Sequence, residues 1–376
     1  MKKYIKNIVL LGICIVAVGV LWEQSHIKID QNFGNPVQKD AALKQEVEFP
    51  KTYKANVNET FSINADIVVP DDFDPNQICR ATAEIQELDM NKWKKRFLKG
   101  DESYEEDPEG GTTREGGLAL CEYYQSEELY LYLSGQESSY YKGMSYMQTH
   151  ACLEYNINKG TEDILSKTAD LENLSSTNAW DGLISELNTL GITANDYVVS
   201  YCYALDHQTL QREEQKMLKD GNLESDEKKG NWSEEDNTYF YCLLQKDQGL
   251  PVFYPKEVIE YEEDPDFGAV RAYYGVSGLL SLEANYLFDI KDGKEPLTLA
   301  PFEKIAETIT KKYEQAVLEF KITVTKCRLF QYPLRVGKGT YELVPVWVCT
   351  LQYEDSDSVM YLPIHAVTGE EMTEMG

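Results

Sequence analysis

A chain of 376 residues, 42% hydrophobic and 27% charged, has globular composition and length for two or three folded units. At this size burial alone can stabilise the fold, without a disulfide or metal staple. The net charge of −28, from 64 Asp and Glu against 36 Lys and Arg, argues against nucleic acid or anionic lipid headgroups as partners of the surface, since such a field repels them.

The first 22 residues hold no acid and carry Lys2, Lys3 and Lys6, so the remainder has 33 − 64 = −31 charges. That field is a solvated face, or one that attracts cations or a basic partner. Lysines ahead of the uncharged run from Asn7 to Trp22 orient an N-terminus inward. The run has 16 residues, slightly short of the ~17–25 of a spanning helix. Tyr4 and Trp22 flank it as interfacial aromatics. An uncleaved single-pass anchor is the simplest reading. A cleaved signal peptide would use Ala17-Val18-Gly19. A lipid-modified Cys14 has Ile13 where a small residue is needed. In all three, the bulk of the chain lies outside the cytoplasmic membrane.

Residues 23–55 are polar and weakly patterned, and are expected to form a linker. A first α+β domain is expected over 56–168 and a second α+β region over 169–376. Phe61, Ile63, Ala65, Ile67 and Val69 alternate with polar residues, as in a half-buried strand. A helix is expected through Ile78, Ala81, Ile85 and Leu88, ending at Gly100. The acidic, Gly-rich stretch 101–117 reads as a loop, since it lacks the spacing of a calcium-binding loop. Strands are expected at 118–124 and 129–133, and another through Met147, Thr149, Ala151, Leu153 and Tyr155.

Farther on, Trp180, Leu183, Ile184, Leu187 and Leu190 share one helix face, with Gly191 placed for a left-handed C-cap. The strand YVVSYCYAL has bulky residues on one side and small ones on the other, which suits a helix packed over the small side. Residues 208–236 suggest an exposed helix and a loop, and 239–244 with 250–254 a hairpin. One strand is expected over 280–290, then a turn at Asp292-Gly293 and a helix capped by Thr298. That helix carries Phe302, Ile305, Ala306, Ile309 and Tyr313. Strands over 321–330, 342–353 and 359–367 close the chain. Strands in short-looped pairs with intervening helices give the class α+β, antiparallel sheets each packed by one or two helices.

The chemistry-bearing residues form no catalytic constellation. Histidines 26, 150, 207 and 365 are scattered without metal-ligand spacing. His150 and Cys152, placed on one strand face, would lie ~6–7 Å apart, beyond hydrogen-bond reach. The S-x-x-K matches at Ser139–Lys142 and Ser225–Lys228 lack companion motifs. No catalytic, cofactor-binding or metal-ligating residue is therefore assigned, and no cofactor. Seven cysteines follow Cys14, an odd number, and most sit in apolar runs, where buried thiols are favoured over a disulfide framework. The 26 tyrosines and 5 tryptophans suit recognition surfaces, though strands favour Tyr in any case.

The C-terminal stretch LVPVWVCTLQYEDSDSVMYLPIHAVTGEEM places a Val-Pro-Val-Trp strand before an Ile-His-Ala-Val-Thr-Gly-Glu strand. With the preceding helix, this resembles the last module of PepSY-like domains and of YycH/YycI-type proteins, over about residues 295–376. The matching positions are Leu343, Val344, Pro345, Val346, Trp347, Ile364, Ala366, Thr368, Gly369 and Glu370; His365 stands where those proteins usually have Asn. Pro345 and Pro363 are expected at an edge or a bulge. In layout the rest resembles uncharacterised membrane-anchored surface proteins of clostridia-type bacteria: the strand ending at Val69-Pro70, the YALDHQTLQ segment and WSEED before GLPV. The resemblance implies a membrane-tethered, non-catalytic extracytoplasmic module acting on an unknown protein partner at the membrane or wall, such as a sensor kinase or protease. A surface module for peptide or glycan is the alternative, and a carboxylate-dependent hydrolase a third.

Overall fold

The computed structural model describes residues 48–372 apart from 101, 113–117, 168, 194–196, 255–264, 317 and 355–358. The expected anchor at 1–22 and most of the expected linker lie outside the described residues. Among the described residues no helix is long and apolar enough to cross a membrane.

The linker ends earlier than expected, because β1 (Thr52–Asn56) already pairs with β2 (Phe61–Val68). There follow β3 (Cys79–Ile85), α1 (Met90–Phe97), β4 (Ser103–Thr112), β5 (Leu118–Gln125), β6 (Tyr130–Leu133) and β7 (Glu137–Tyr141). The middle of the chain forms α2 (Gly143–Asn158), α3 (Ser176–Leu190), β8 (Tyr197–Leu205), α4 (His207–Asp220), β9 (Thr238–Asp247) and β10 (Leu250–Pro251). The last part forms β11 (Val270–Gly275), β12 (Gly278–Asn285), β13 (Phe288–Pro296), α5 (Phe302–Tyr313), β14 (Ile322–Gly337), β15 (Thr340–Tyr353) and β16 (Val359–His365).

Two sheets result. The first runs β1-β2-β14-β15-β3-β13, with β16 also on β15, and β2–β14 is its parallel pair. The second is antiparallel and runs β10-β9-β11-β12-β7-β6-β5-β4, with β8 also on β9. The class is α+β, as the strand pairing in the sequence implied.

Three apolar clusters hold these layers. In the first, α1 and α3 bury Trp93, Leu183 and Leu187 with Leu131, Leu243 and Leu282 of the second sheet and Val344, Val346 and Val348 of the first. In the second, α5 lays Phe302, Ile305 and Ile309 on Phe61, Ile63, Trp347 and Leu351. In the third, Leu153 of α2 and Leu210 and Met217 of α4 cover Phe240 and Tyr273. Strand β15 is therefore buried on both faces, as its near-continuous apolar run requires. In β8, Ala204 and Cys202 meet the cluster that holds α3, while Tyr203 and Leu205 meet the third cluster.

Local signals explain the helices that came out as expected. Ser175 caps α3 by accepting from the Asn178 amide, and Gly191 ends it at φ 86°. Asp206 caps α4 and Gly221 ends it at φ 72°. That helix is not simply exposed: it buries Leu210, Glu213, Glu214 and Met217.

Other expectations are corrected. The segment expected as a helix from 78 begins as β3, inserted between β15 and β13, with Ala81 and Ala83 inward and Arg80, Thr82 and Glu84 outward. Two periods fitted those residues, and the two open ladders decided between them. The segment around 147–155 is helical: Tyr146, Thr149, Cys152, Leu153 and Asn156 are buried at helical spacing. Much of the supposed loop 101–117 is β4, paired with β5 through a shift between Asp107 and Gly111.

The strand expected over 280–290 breaks at Tyr286, φ 50°, so that β12 serves the second sheet and β13 the first. Gly293 lies inside β13 at an irregularity rather than in a turn. The N-cap of α5 is Pro301, without a side-chain cap bond, instead of Thr298. The expected division at 168/169 does not coincide with a break between compact units. Residues Glu46–Gly376 form one unit, and β2–β14, β3–β15 and β7–β12 all pair across that point.

Pro345 sits in a central strand, at a gap where β15 passes from β3 (paired up to Leu343) to β16 (paired from Val346). Its carbonyl accepts from the Ala366 amide at 2.8 Å. A strand residue points N and C=O to the same side, so the missing N–H faces that gap. Pro363 lies on β16 and its carbonyl accepts from Met372 on the outer side, the edge placement expected of it.

Candidate functional site

The stretch TYFYCLLQKDQGLPVFY, residues 238–254, places polar side chains at the end of a strand buried along most of its length. Strands β9 and β10 close a two-residue turn at Gln248 and Gly249, with φ of 49° and 85°. Both are positive, as the hairpin-favoured type I′ turn requires. Gly249 is needed for a second reason: a Cβ there would lie 3.0 Å from the Phe73 Cα.

The turn brings the two sheets together through side-chain amides. Gln245 is buried and imitates a strand residue: its Nε2 donates to the Phe288 carbonyl at 2.9 Å, and its Oε1 accepts from the Phe288 amide at 2.7 Å. The Tyr254 hydroxyl donates to the same Oε1. Gln248 repeats the device on β3, accepting from the Cys79 amide at 2.7 Å and donating to the Cys79 carbonyl at 3.1 Å. Asp247 accepts from Gln331 Nε2 at 2.8 Å and from Gln248 Nε2 at 3.2 Å. Lys246 reaches Asp72 at 2.9 Å, and that hydrogen bond holds the Asp72 carboxyl below its usual range. Beyond the turn, the Phe253 amide donates to the Gln331 carbonyl at 2.8 Å. These bonds tie the second sheet to the first along the turn, and within them Gln331 Oε1 is buried without a hydrogen-bond partner among the described residues.

Beside the seam lies a cleft of about 320 Å³, lined by Gln86, Thr193, Tyr197, Gln245, Lys246, Asp247, Gln248, Phe288, Asp289 and Ile290. It sits where the ends of β8 and β9 meet β3 and β13. Amide, hydroxyl and charged groups of both signs give it hydrogen-bonding capacity. Next to it runs β8, whose ladder partner is β9, with one isolated bridge to Ser166 at Ala204. Val198 and Val199 of β8 are exposed, a short apolar step at the sheet's edge.

The residues weighed in the sequence for chemistry are dispersed. His150 and Cys152 lie on α2 and do not meet. His150 Nδ1 is 2.8 Å from the Tyr273 hydroxyl and its Nε2 is 3.1 Å from Glu154. Cys152 Sγ points to the Leu210 carbonyl, and desolvation, with Glu214 and Glu213 nearby, pushes its thiol up to about 12. Such a thiol is inert at neutral pH. Lys142 reaches Ser277 at 3.2 Å. His207 Nδ1 is 3.1 Å from Asn237 Oδ1. Among the described residues no group of three or more His, Cys, Asp or Glu is arranged to hold a metal ion. Residues Gln245 and Gln248 escaped the sequence reading. The available signal was a glutamine following the apolar run FYCLL, where a buried amide requires partners.

His365 closes the C-terminal turn: its Nδ1 accepts from the Val367 amide at 3.1 Å, while the Gly369 amide donates to its carbonyl at 2.8 Å. Burial pushes its pKa below the ordinary 6.5. With the folded value depressed, the unfolded chain takes up a proton first as pH falls below 6.5. Stability is therefore present above 6.5 and lost as pH drops toward the folded value. Melting curves between pH 7 and pH 5 are expected to show a smaller Tm loss in His365→Asn than in the parent. Asn keeps an acceptor oxygen but does not titrate. Equal losses in the two proteins would remove His365 from the acid response.

No protein-family model matches the chain, and no curated protein matches it. Its fold, α+β with two antiparallel-rich sheets and five helices among the described residues, is shared with a solved protein. This is an uncharacterised protein from Eubacterium rectale, 16% identical, matched over 86% of this chain and 94% of that one with a TM-score of 0.58. A second similar structure is the C-terminal domain of Bacillus megaterium YpeB, 10% identical over 76% of this chain and 96% of that one, TM-score 0.30. At these identities the likeness to the Eubacterium rectale protein is one of fold.

Proposed function

We propose that residues 1–22 tether this chain to the cytoplasmic membrane, and that the folded unit outside acts without catalysis by contacting a protein partner, regulating a membrane sensor kinase or a protease. In this reading residues 295–376 are a PepSY-like module: α5 followed by the antiparallel strands β14, β15 and β16. The observation that carries the proposal is β8, an edge strand among the described residues, with exposed Val198 and Val199 beside a polar cleft. Such an edge accepts an extended segment of another protein by strand addition, main chain for affinity and side chains for selectivity. The charge of −31 beyond residue 22 favours a basic segment.

A photo-crosslinking residue at Val199, in the full chain in its own cells, is expected to capture a membrane or wall protein. Val198→Lys should lower that capture about tenfold, since an apolar side-chain contact is replaced by a cation that repels a basic segment. Equal capture from a control position at exposed Val336 would remove β8 from the interface. A second reading, a module for peptide or glycan, is favoured by the amide and hydroxyl lining of the cleft. Titrating cationic peptides and wall fragments against the protein's tyrosine fluorescence separates it from the first.

A further inference from the structure

Cys327 of β14 and Cys349 of β15 stand directly opposite each other in the antiparallel ladder. Both are fully buried, and their sulfurs are 2.9 Å apart. Other cysteines meet oxygen: Cys79 the Gln77 carbonyl at 3.5 Å, Cys121 the Tyr132 hydroxyl at 3.4 Å and Cys242 the Asp266 carbonyl at 3.4 Å. Residues directly opposite in an antiparallel pair have Cα atoms ~4.5–5.5 Å apart, within the ~4.4–6.8 Å that a disulfide spans. Joining the pair closes the sulfurs from 2.9 Å to the ~2.05 Å of a disulfide bond.

We propose that Cys327 and Cys349 are a disulfide-forming pair, oxidised when the chain folds outside the membrane. This rests on the extracytoplasmic reading above, because that compartment supplies the oxidant. In the step, a disulfide-bearing oxidant, a protein or a small molecule, takes the electrons. One cysteine thiolate attacks its sulfur and forms a mixed disulfide. The second thiolate displaces it, making the Cys327–Cys349 bond. The oxidant leaves as two thiols carrying the two protons and two electrons that the cysteines lose.

Complete burial sets the timing. The exchange occurs before α5 closes over β15 and buries the pair, and afterwards the bond is shielded from reductants. The bond also has a structural purpose. The β14–β15 hairpin is long, with register shifts between Val324 and Lys326 and between Arg335 and Gly337. A slip of one residue would turn each side chain to the opposite face. A cross-link at one defined pair fixes the register on which β2, β3 and β16 all assemble.

The test is to unfold the purified full chain with reductant and refold it in a mixture of reduced and oxidised glutathione. The protein is then alkylated in denaturant, and its peptides are mapped by mass spectrometry. The peptides holding Cys327 and Cys349 are expected to be joined and two hydrogens lighter than the separate thiols. The joined protein should resist reductant while folded, lose the link when unfolded, and melt about 5 °C above the reduced form, from the loop of residues the bond closes. Alkylation of both cysteines after refolding would overturn the pairing, whatever the compartment. If refolding gives the link but protein from the native cells carries both as thiols, the extracytoplasmic reading falls and the pairing stands. Finding the link in both supports both.

Discussion

Trp347→Ala is expected to cost about 3–5 kcal/mol of stability, the range for removing a fully buried indole. Trp347 is fully buried in β15 and anchors the second cluster. Its ring lies edge-on to Phe302 of α5, with centroids 5.2 Å apart at 82°, and edge-on to Phe49, at 5.2 Å and 73°. Alanine would leave α5 facing a void that rigid strands on either side cannot fill, because β15 is held by β14, β3 and β16. The midpoint of urea unfolding, with the slope unchanged, is the measurement.

Trp347→Phe is the informative control. The Trp347 Nε1 is buried and finds no hydrogen-bond partner among the described residues, and leaving such a group buried costs about 1–3 kcal/mol. Phenylalanine removes that unmet donor while keeping most of the ring, so its net cost is expected to be under about 1.5 kcal/mol. Equal losses for the two substitutions would mean that the indole is needed for something other than filling the space under α5.

The Trp347 motif was the most legible part of this sequence. Its strand alternates large residues on both faces over many positions, and the helix before it has an unbroken apolar stripe, so local pattern and final fold agree. Elsewhere the pattern was ambiguous in a specific way. Ile78, Ala81, Ile85 and Leu88 fit a helical period, while Ala81 and Ala83 fit a strand. The choice was made by partners distant in sequence, β13 and β15. The segment around Met147–Tyr155 failed in the opposite direction. The chain's crossing from one sheet to the other at Tyr286 had no local signal beyond an aromatic residue at φ 50°.

The candidate site was the least legible. It is held by Gln245 and Gln248 pairing with the backbones of Phe288 and Cys79, 43 and 169 residues away. Amides that substitute for strand residues leave no periodic trace. Gln245 is visible only as a polar residue at the end of a buried apolar run, and Gln248 is half-buried with no such mark.

Gly268→Ala is expected to destabilise the protein by about 3 kcal/mol or more, the upper end of overpacking costs, because the obstacle is backbone. A Cβ at Gly268 would lie 2.1 Å from the Leu243 carbonyl oxygen and 2.5 Å from its carbon. Leu243 belongs to β9, held on one side by β8 and on the other by β11, so it has no direction in which to yield. The Gly268 amide also donates to Cys242 Sγ at 3.1 Å, which fixes the approach of the segment entering β11. Gly278→Ala separates this steric cause from glycine's conformational freedom. Its φ is 93° with nothing within 4 Å of the added carbon, so only backbone strain is added, about 1–2 kcal/mol. The two variants should therefore differ in urea midpoint, with Gly268→Ala lower. Because β9 carries Gln245, Lys246 and Asp247 into the cleft and supports the β8 edge, partner capture at Val199 should fall with Gly268→Ala and persist in Gly278→Ala. Capture that survives a Gly268→Ala protein with a lowered midpoint would detach the β8 surface from the register of β9. A midpoint equal to that of the parent would mean that the β9–β11 approach is looser than the contact at Leu243 requires.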